Sequence, residues 1–171
     1  EVTSNIRRAD ILLGRHFADG AALRAVLKRG PEAILEEMVK SGLRGQGGAG
    51  FESAAKWISC RGAPGDVKYV VCNADEGEPG TFKDRVLMQD FADLVFEGMT
   101  LCGRVIGARH GFVYLRGEYR YLLEALQAHL QRRREVGLLG EGIMGEPGFD
   151  FDIDIHLGAG AYVCGEESAL I

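Results

Sequence analysis

The chain has 171 residues, about one domain's worth, and its 46% apolar and 26% charged content is that of an ordinary folded protein. Its net charge is −5 with no basic stripe to offset it, which argues against nucleic acid as a partner. No apolar run approaches the roughly 18 residues of a membrane span, so no direct membrane insertion is expected.

The amino end, EVTSNIRRAD, has no apolar signal core and no initiator Met, and the last residues, GEESALI, stop inside what reads as a starting helix. The expectation is a fragment of a longer polypeptide. Residues 20–29 place Ala22, Leu23, Val26 and Leu27 at helical spacing. Pro31 opens a second helix, with Ile34, Leu35, Met38 and Val39 on one stripe and Gly42 past its end. A glycine-rich loop follows, then FESAAKW, which reads as one or two helical turns. KYVVC (68–72) is a β-branched run of strand length. The acidic turn NADEGEPG comes next. Residues 90–107 read as a helix, GFVYL (111–115) as a strand, and 118–135 as a long helix with Leu122, Leu123, Leu126 and Leu130 on one face. GLLGEGIMGEPG reads as loop. FDFDIDIHL alternates strictly, as a half-buried strand does, and GAGAYVCGEESAL reads as a second glycine loop entering a helix. The alternation of strand and helix from residue 68 predicts an α/β fold with a mostly parallel sheet flanked by helices, preceded by a helical N-terminal annex over 1–41.

Four cysteines, at 60, 72, 102 and 164, include no C-x-x-C, so neither zinc nor iron–sulfur ligation is indicated within this chain, and no metal site is expected. Cys72 and Cys102 lie in apolar segments and read as buried, reduced thiols, which suits a cytoplasmic setting. The run Arg132 to Arg134 on the last long helix reads as a solvated face in preference to a phosphate site.

Three stretches carry candidate chemistry. In SGLRGQGGAGF, five glycines stand between 42 and 50. Such a loop exposes successive N–H groups to an anion, the helix after it adds its positive end, and Arg44 supplies a forked cation. Gly45-x-Gly47-x-x-Gly50 has the dinucleotide spacing, but a helix stands where the Rossmann strand belongs, and position 70 is Val where an acid is required. Phosphate binding on a non-Rossmann fold remains, against a flexible glycine-rich linker, and Phe51 and Trp57 speak for an ordered loop. In NADEGEPG, Asn73, Asp75, Glu76 and Glu78 follow a strand directly, where ligands of α/β sheets bind. They suit sugar or ribityl hydroxyls; a solvated acidic turn is the alternative. In GAGAYVCGEESAL, Glu166 and Glu167 open a helix, as a dipole-stabilised cap or as part of a site with Tyr162. Asp150-x-Asp152-x-Asp154 begins like a calcium loop but has Ile155 at the sixth position and Ala161 at the twelfth, so the polar face of a strand explains it. His16, His110, His129 and His156 neighbour no Ser or Cys motif, and no catalytic nucleophile is visible.

Taken in order, SGLRGQGGAGF, KW, VVCNADEGEPGTFKDR, LRGEY and GAGAYVCGEESAL resemble the flavin subunit of NADH dehydrogenases. That family includes the NADH-binding subunit of complex I, the diaphorase subunit of NAD-reducing hydrogenases and the beta subunit of NAD-dependent formate dehydrogenases. The likeness covers residues 20–171. It implies a non-Rossmann α/β flavin fold over 42–171 holding FMN with NAD(H) over it, and an NADH dehydrogenase or diaphorase-type oxidoreductase. Residue by residue, it implies that Gly45, Gly47, Gly48, Gly50, Lys56, Asn73, Asp75, Glu76, Tyr162, Gly165, Glu166 and Glu167 hold cofactor, with Phe51, Glu78 and Glu167 toward NADH. Catalysis would be cofactor-borne hydride transfer. Electrons would pass to iron–sulfur subunits, among them a thioredoxin-like 2Fe–2S subunit, and any iron–sulfur cluster of this polypeptide would lie beyond residue 171. Gln46 stands where the family usually has Arg, and Glu52-Ser53-Ala54-Ala55 where it has Pro-Thr-Gly-Leu. Ser59 and Cys60 stand where an aromatic is usual. A non-catalytic nucleotide-binding or assembly module that kept the fold is the rival reading.

Overall fold

The computed structural model describes residues 17–46 and 48–160. Helices α1 (Ala21–Leu27), α2 (Gly30–Ser41) and α3 (Ser53–Gly62) lead into strand β1 (Tyr69–Ala74). Helices α4 (Lys83–Asp90) and α5 (Ala92–Ile106) connect it to β2 (His110–Leu115), and a 3-10 turn (Gly117–Leu122) with α6 (Leu123–Glu135) connects β2 to β3 (Asp152–Leu157). The strands form one parallel sheet in the order β1-β2-β3, in register Val71↔Phe112↔Asp154.

Both crossovers advance the same way across the sheet, and right-handed connections then put their helices on one face. Val70, Ala74, Val113, Leu115 and Ile153 are buried on that face with Phe96, Met99 and Ile106 of α5 and Leu126 and Leu130 of α6. Phe149 and Phe151 extend the same core ahead of β3. The alternate positions form the other face: Tyr69, Val71 and His156 are exposed, and Phe112 has the Tyr69, His110 and His156 rings around it.

Several elements differ from the sequence reading. Residues 83–90 form a helix of their own, α4, which the polar KDRVLMQD did not suggest; the chain kinks at Phe91 (φ −135°), so α5 starts at Ala92. FESAAKW expands into the ten residues of α3. The helix expected over 118–135 begins as a 3-10 turn, because Tyr119 (φ −92°, ψ 15°) leaves helical geometry. On α2 only Ile34 is buried, and Val39 faces solvent at 56% exposure. The loop 137–148 contains a short 3-10 turn, Ile143–Gly145.

The largest correction concerns the arginine run, which is not a solvated face. Arg133 is fully buried, 3.6 Å from Asp93 and 4.0 Å from Glu97. Arg132 joins Asp19 to Asp93, and Arg134 holds Asp152 at 3.0 and 3.1 Å. Glu97, itself buried, accepts the backbone N–H groups of Gly20, Ala22 and Leu23 at 2.8, 2.7 and 3.2 Å. A carboxylate from α5 thus caps α1 across more than 70 residues of sequence and satisfies donors that the helix start leaves open. With Leu23 in the main core, α1 is fastened to the α/β unit by packing and by charge.

Candidate functional site

The glycine loop is a closed hairpin. Gly45 N–H donates to the Phe51 carbonyl at 2.9 Å and Ser53 N–H to the Leu43 carbonyl at 3.0 Å. The Arg44 guanidinium spans it, reaching the Gly50 carbonyl at 2.9 Å and Glu52 at 2.6 Å. Arg44 is therefore engaged in closing the loop, not presented as an open cation, and Glu52, one of the residues that departs from the family pattern, neutralises it. Gln46, another departure, donates to the Arg44 carbonyl. Gly48 and Gly50 sit at φ 105° and 60°, with no atom of the described residues within 4 Å of where a Cβ would stand. The positive φ calls for glycine at both positions. Phe51 is 54% exposed, with the Lys56 ammonium 5.4 Å from its ring centroid.

The loop's orientation follows from α3. Trp57 and Cys60 pack on the core, Arg61 donates to the Val105 carbonyl near the end of α5, and Lys68, just ahead of β1, donates to the Arg61 carbonyl at 2.7 Å. These ties hold the end of α3 at the amino end of β1. The ten-residue helix, about 15 Å long, packs beside α5 and carries the glycine loop at its amino end.

At those carboxyl ends three backbone segments converge. After β1, Asn73 Oδ1 accepts the Asp75 N–H at 3.1 Å, an Asx turn that bends the acidic segment. After β2, Arg116 N–H donates to the Ala74 carbonyl at 3.1 Å, and its guanidinium to the Glu76 carbonyl. After β3, Gly158 N–H donates to the Leu115 carbonyl at 2.8 Å. Gly117 lies so close to Gly158 that a Cβ would stand 2.6 Å from its carbonyl oxygen. Glycine is needed there for close approach.

The acids of the turn have different roles. Glu76 is 5% exposed, and its carboxylate accepts the N–H groups of Asp84 and Arg85 at 3.1 and 3.4 Å and the Tyr119 hydroxyl at 2.8 Å. Burial pushes its pKa up, but the Asp84 amide, Tyr119, the Arg85 amide and the nearby Lys83 charge together outweigh it, leaving Glu76 below the ordinary glutamate range. Asp75 differs: its Oδ2 is buried and has no partner among the described residues. A buried carboxylate oxygen without a donor is costly, so a hydroxyl- or N–H-bearing ligand is what this atom suits. Glu78 is exposed.

Of the residues implied by the resemblance, Gly47, Tyr162, Gly165, Glu166 and Glu167 lie outside the described residues. Gly45, Gly48, Gly50, Phe51 and Lys56 share the loop and the first turn of α3, and Asn73, Asp75, Glu76 and Glu78 share the turn after β1. Arg116, Gly117 and Tyr119 also belong to this convergence, and their signal in the sequence is the LRGEY stretch. Burial pushes the Cys72 and Cys102 thiols up to about 12, so neither is a thiolate near neutral pH. Asp150, Asp152 and Asp154 turn to separate partners: the Gly142 N–H, Arg134 and His110. Among the described residues no cluster of three His, Cys, Asp or Glu is placed for a metal, and no helix is long and apolar enough to cross a membrane. An open groove between α1 and the 136–146 loop, with Arg24, Leu27, Lys28 and Met144 in its walls, shares no residue with this site.

Comparison with known proteins matches residues 38–171 to the model of the Nuo51 FMN-binding domain. The chain is 53% identical to the alpha subunit of the NAD-reducing hydrogenase HoxS of Cupriavidus necator, over 99% of this chain and 28% of that protein. It is 44% identical to an NADH-quinone oxidoreductase subunit of Rhizobium meliloti, over 97% of this chain and 41% of that protein. A crystal structure of an NAD+-reducing [NiFe]-hydrogenase in the H2-reduced state superposes with a TM-score of 0.77 at 45% identity, covering 90% of this chain and 25% of that one. The chain thus spans less than half the length of these relatives.

Proposed function

The chain belongs to the Nuo51 FMN-binding domain family, and on that premise we propose that it is the FMN-holding part of an NADH-oxidising or NAD-reducing flavoprotein subunit. Residues 42–171 form the cofactor-binding unit in this reading, and 1–41 its helical annex. The observation that carries it is Asp75 Oδ2, buried and unpartnered among the described residues at the carboxyl end of β1, where α/β sheets take their ligands. A ribityl hydroxyl is the donor it suits. Gly45, Gly47, Gly48 and Gly50 would face the mononucleotide with bare backbone, and Lys56, Asn73, Tyr162, Gly165, Glu166 and Glu167 would complete the pocket. Glu76 would contribute through the turn that it anchors. Phe51 and Glu78 would lie toward the nicotinamide nucleotide.

When bound, FMN supplies acceptance of a hydride from the nicotinamide; the chain's residues bind, orient and exclude water. Electrons would leave through iron–sulfur subunits of a larger complex, a thioredoxin-like 2Fe–2S subunit among them. The names of the relatives, subunits of hydrogenases and of NADH-quinone oxidoreductases, support such an assembly. A cytoplasmic location accords with it.

The test is the purified full-length protein under anaerobic conditions. Bound flavin absorbance that bleaches on adding NADH is expected, and Asp75→Ala should lose most of the flavin. A colourless wild-type protein that FMN cannot reconstitute overturns the proposal. The second reading, a nucleotide-binding module without turnover, draws on the Arg44–Glu52 pair at 2.6 Å, which leaves the loop less cationic. NADH binding without flavin would favour it.

A further inference from the structure

Tyr119 is absent from the proposed ligand contacts, yet its side chain holds the acidic turn. It is buried in the 3-10 turn after β2, and its hydroxyl donates to Glu76 Oε2 at 2.8 Å. The other donors to that carboxylate, the Asp84 and Arg85 amides, belong to the first turn of α4. One buried carboxylate therefore fastens three pieces together: the turn after β1, the start of α4 and the segment after β2. Arg116 adds a parallel tie, with its own N–H on the Ala74 carbonyl and its guanidinium on the Glu76 carbonyl. Asp75 lies between Ala74 and Glu76, the two residues so anchored. Its only side-chain oxygen left buried and unpartnered among the described residues is Oδ2. The backbone that carries that atom is thus held on both sides, at Ala74 and at Glu76.

We propose that Tyr119 is a positioning residue for the flavin: by holding the Glu76 carboxylate it fixes the turn that presents Asp75 Oδ2 to a hydroxyl of the bound mononucleotide. The inference rests on the FMN reading above. Tyr119 does not reach the ligand itself and acts only through the turn. A hydrogen bond to a buried charged acceptor is among the stronger ones in a protein, so its loss releases the turn while the sheet and core stay in place.

The experiment measures FMN affinity of the full-length protein by quenching of flavin fluorescence, in a double-mutant cycle. Tyr119→Phe is expected to raise the Kd about tenfold, the scale of one hydrogen bond to a charged group. Asp75→Ala is expected to raise it at least as much. In the Asp75→Ala background, Tyr119→Phe is expected to add less than about twofold, because the atom it positions is gone. An equal loss in both backgrounds overturns the proposal, since Tyr119 would then act on the fold at large. Glu76→Gln keeps the shape of the anchor and serves as the second variant should Tyr119→Phe not fold; it is expected to weaken FMN in the same Asp75-dependent way. If wild-type protein binds FMN, Asp75→Ala weakens it and Tyr119→Phe leaves it unchanged, this inference alone falls. If wild-type protein binds no FMN, it falls together with the functional reading.

Discussion

Replacing Glu97 by Ala tests the charged fastening between the N-terminal helices and the α/β unit. Glu97 is 5% exposed and Arg133 fully buried. The carboxylate accepts three amides, at 2.8, 2.7 and 3.2 Å, and stands 4.0 Å from the guanidinium. Of those amides, Gly20 and Leu23 belong to buried residues and Ala22 to an exposed one, so water can replace at most part of what is lost. Among the described residues Arg133 would keep Asp93 as its ion-pair partner, and its Nε and Nη2 already lack partners there. Removing one member of a buried pair typically destabilises by about 3–5 kcal/mol, and that range is expected here. It is a large fraction of the roughly 5–15 kcal/mol that holds a domain folded. Equilibrium urea denaturation gives the total, and amide exchange should show the loss concentrated in α1. The double variant Glu97→Met with Arg133→Met should recover part of the stability, because the unpaired charge leaves with the carboxylate while the three amides still lack their acceptor. A loss below about 1 kcal/mol in Glu97→Ala, or a double variant worse than the single one, would refute the reasoning.

Two further outcomes follow from the site. Gly117→Ala would put a methyl group 2.6 Å from the Gly158 carbonyl oxygen, a clash with backbone that no rotamer relieves. A loss of about 1–3 kcal/mol is expected, read as a lowered Tm, and an unchanged Tm would mean the ends of β2 and β3 are not this close. Glu76 is held below the ordinary glutamate range despite its burial, because the amides of Asp84 and Arg85 and the Tyr119 hydroxyl favour its ionised form. A depressed carboxylate contributes stability that is present above its unfolded value, about 4.3, and is lost as pH falls through the lower folded value. The anchor should therefore stay intact through the pH range in which an ordinary glutamate protonates and release only below it. An NMR titration of the Glu76 carboxyl checks this, and a midpoint above the ordinary value contradicts it.

The parts of this protein written in local periodicity could be read directly from its sequence. The stripe on α2, the β-branched KYVVC and the strict alternation of FDFDIDIHL each encode an element through spacing along one short segment. Their alternation implied the parallel sheet before any contact was known. The glycine loop and NADEGEPG were likewise visible as loops, because their unusual composition sets them apart from the periodic segments around them. What escaped were the roles that depend on partners far along the chain. Arg133 in an Arg-Arg-Arg run has the local pattern of a solvated face, and only the packing of α5 against α6 buries it beside Asp93 and Glu97. Glu76 is one acid among several in its turn until folding brings Tyr119, 43 residues later, onto its carboxylate. Arg44 reads as a free cation until the loop closes it on Glu52. Helical and strand periods arise from neighbours within a few residues, which every sequence displays. The fate of a charge is set by whichever group the fold carries to it, and that information exists only in three dimensions.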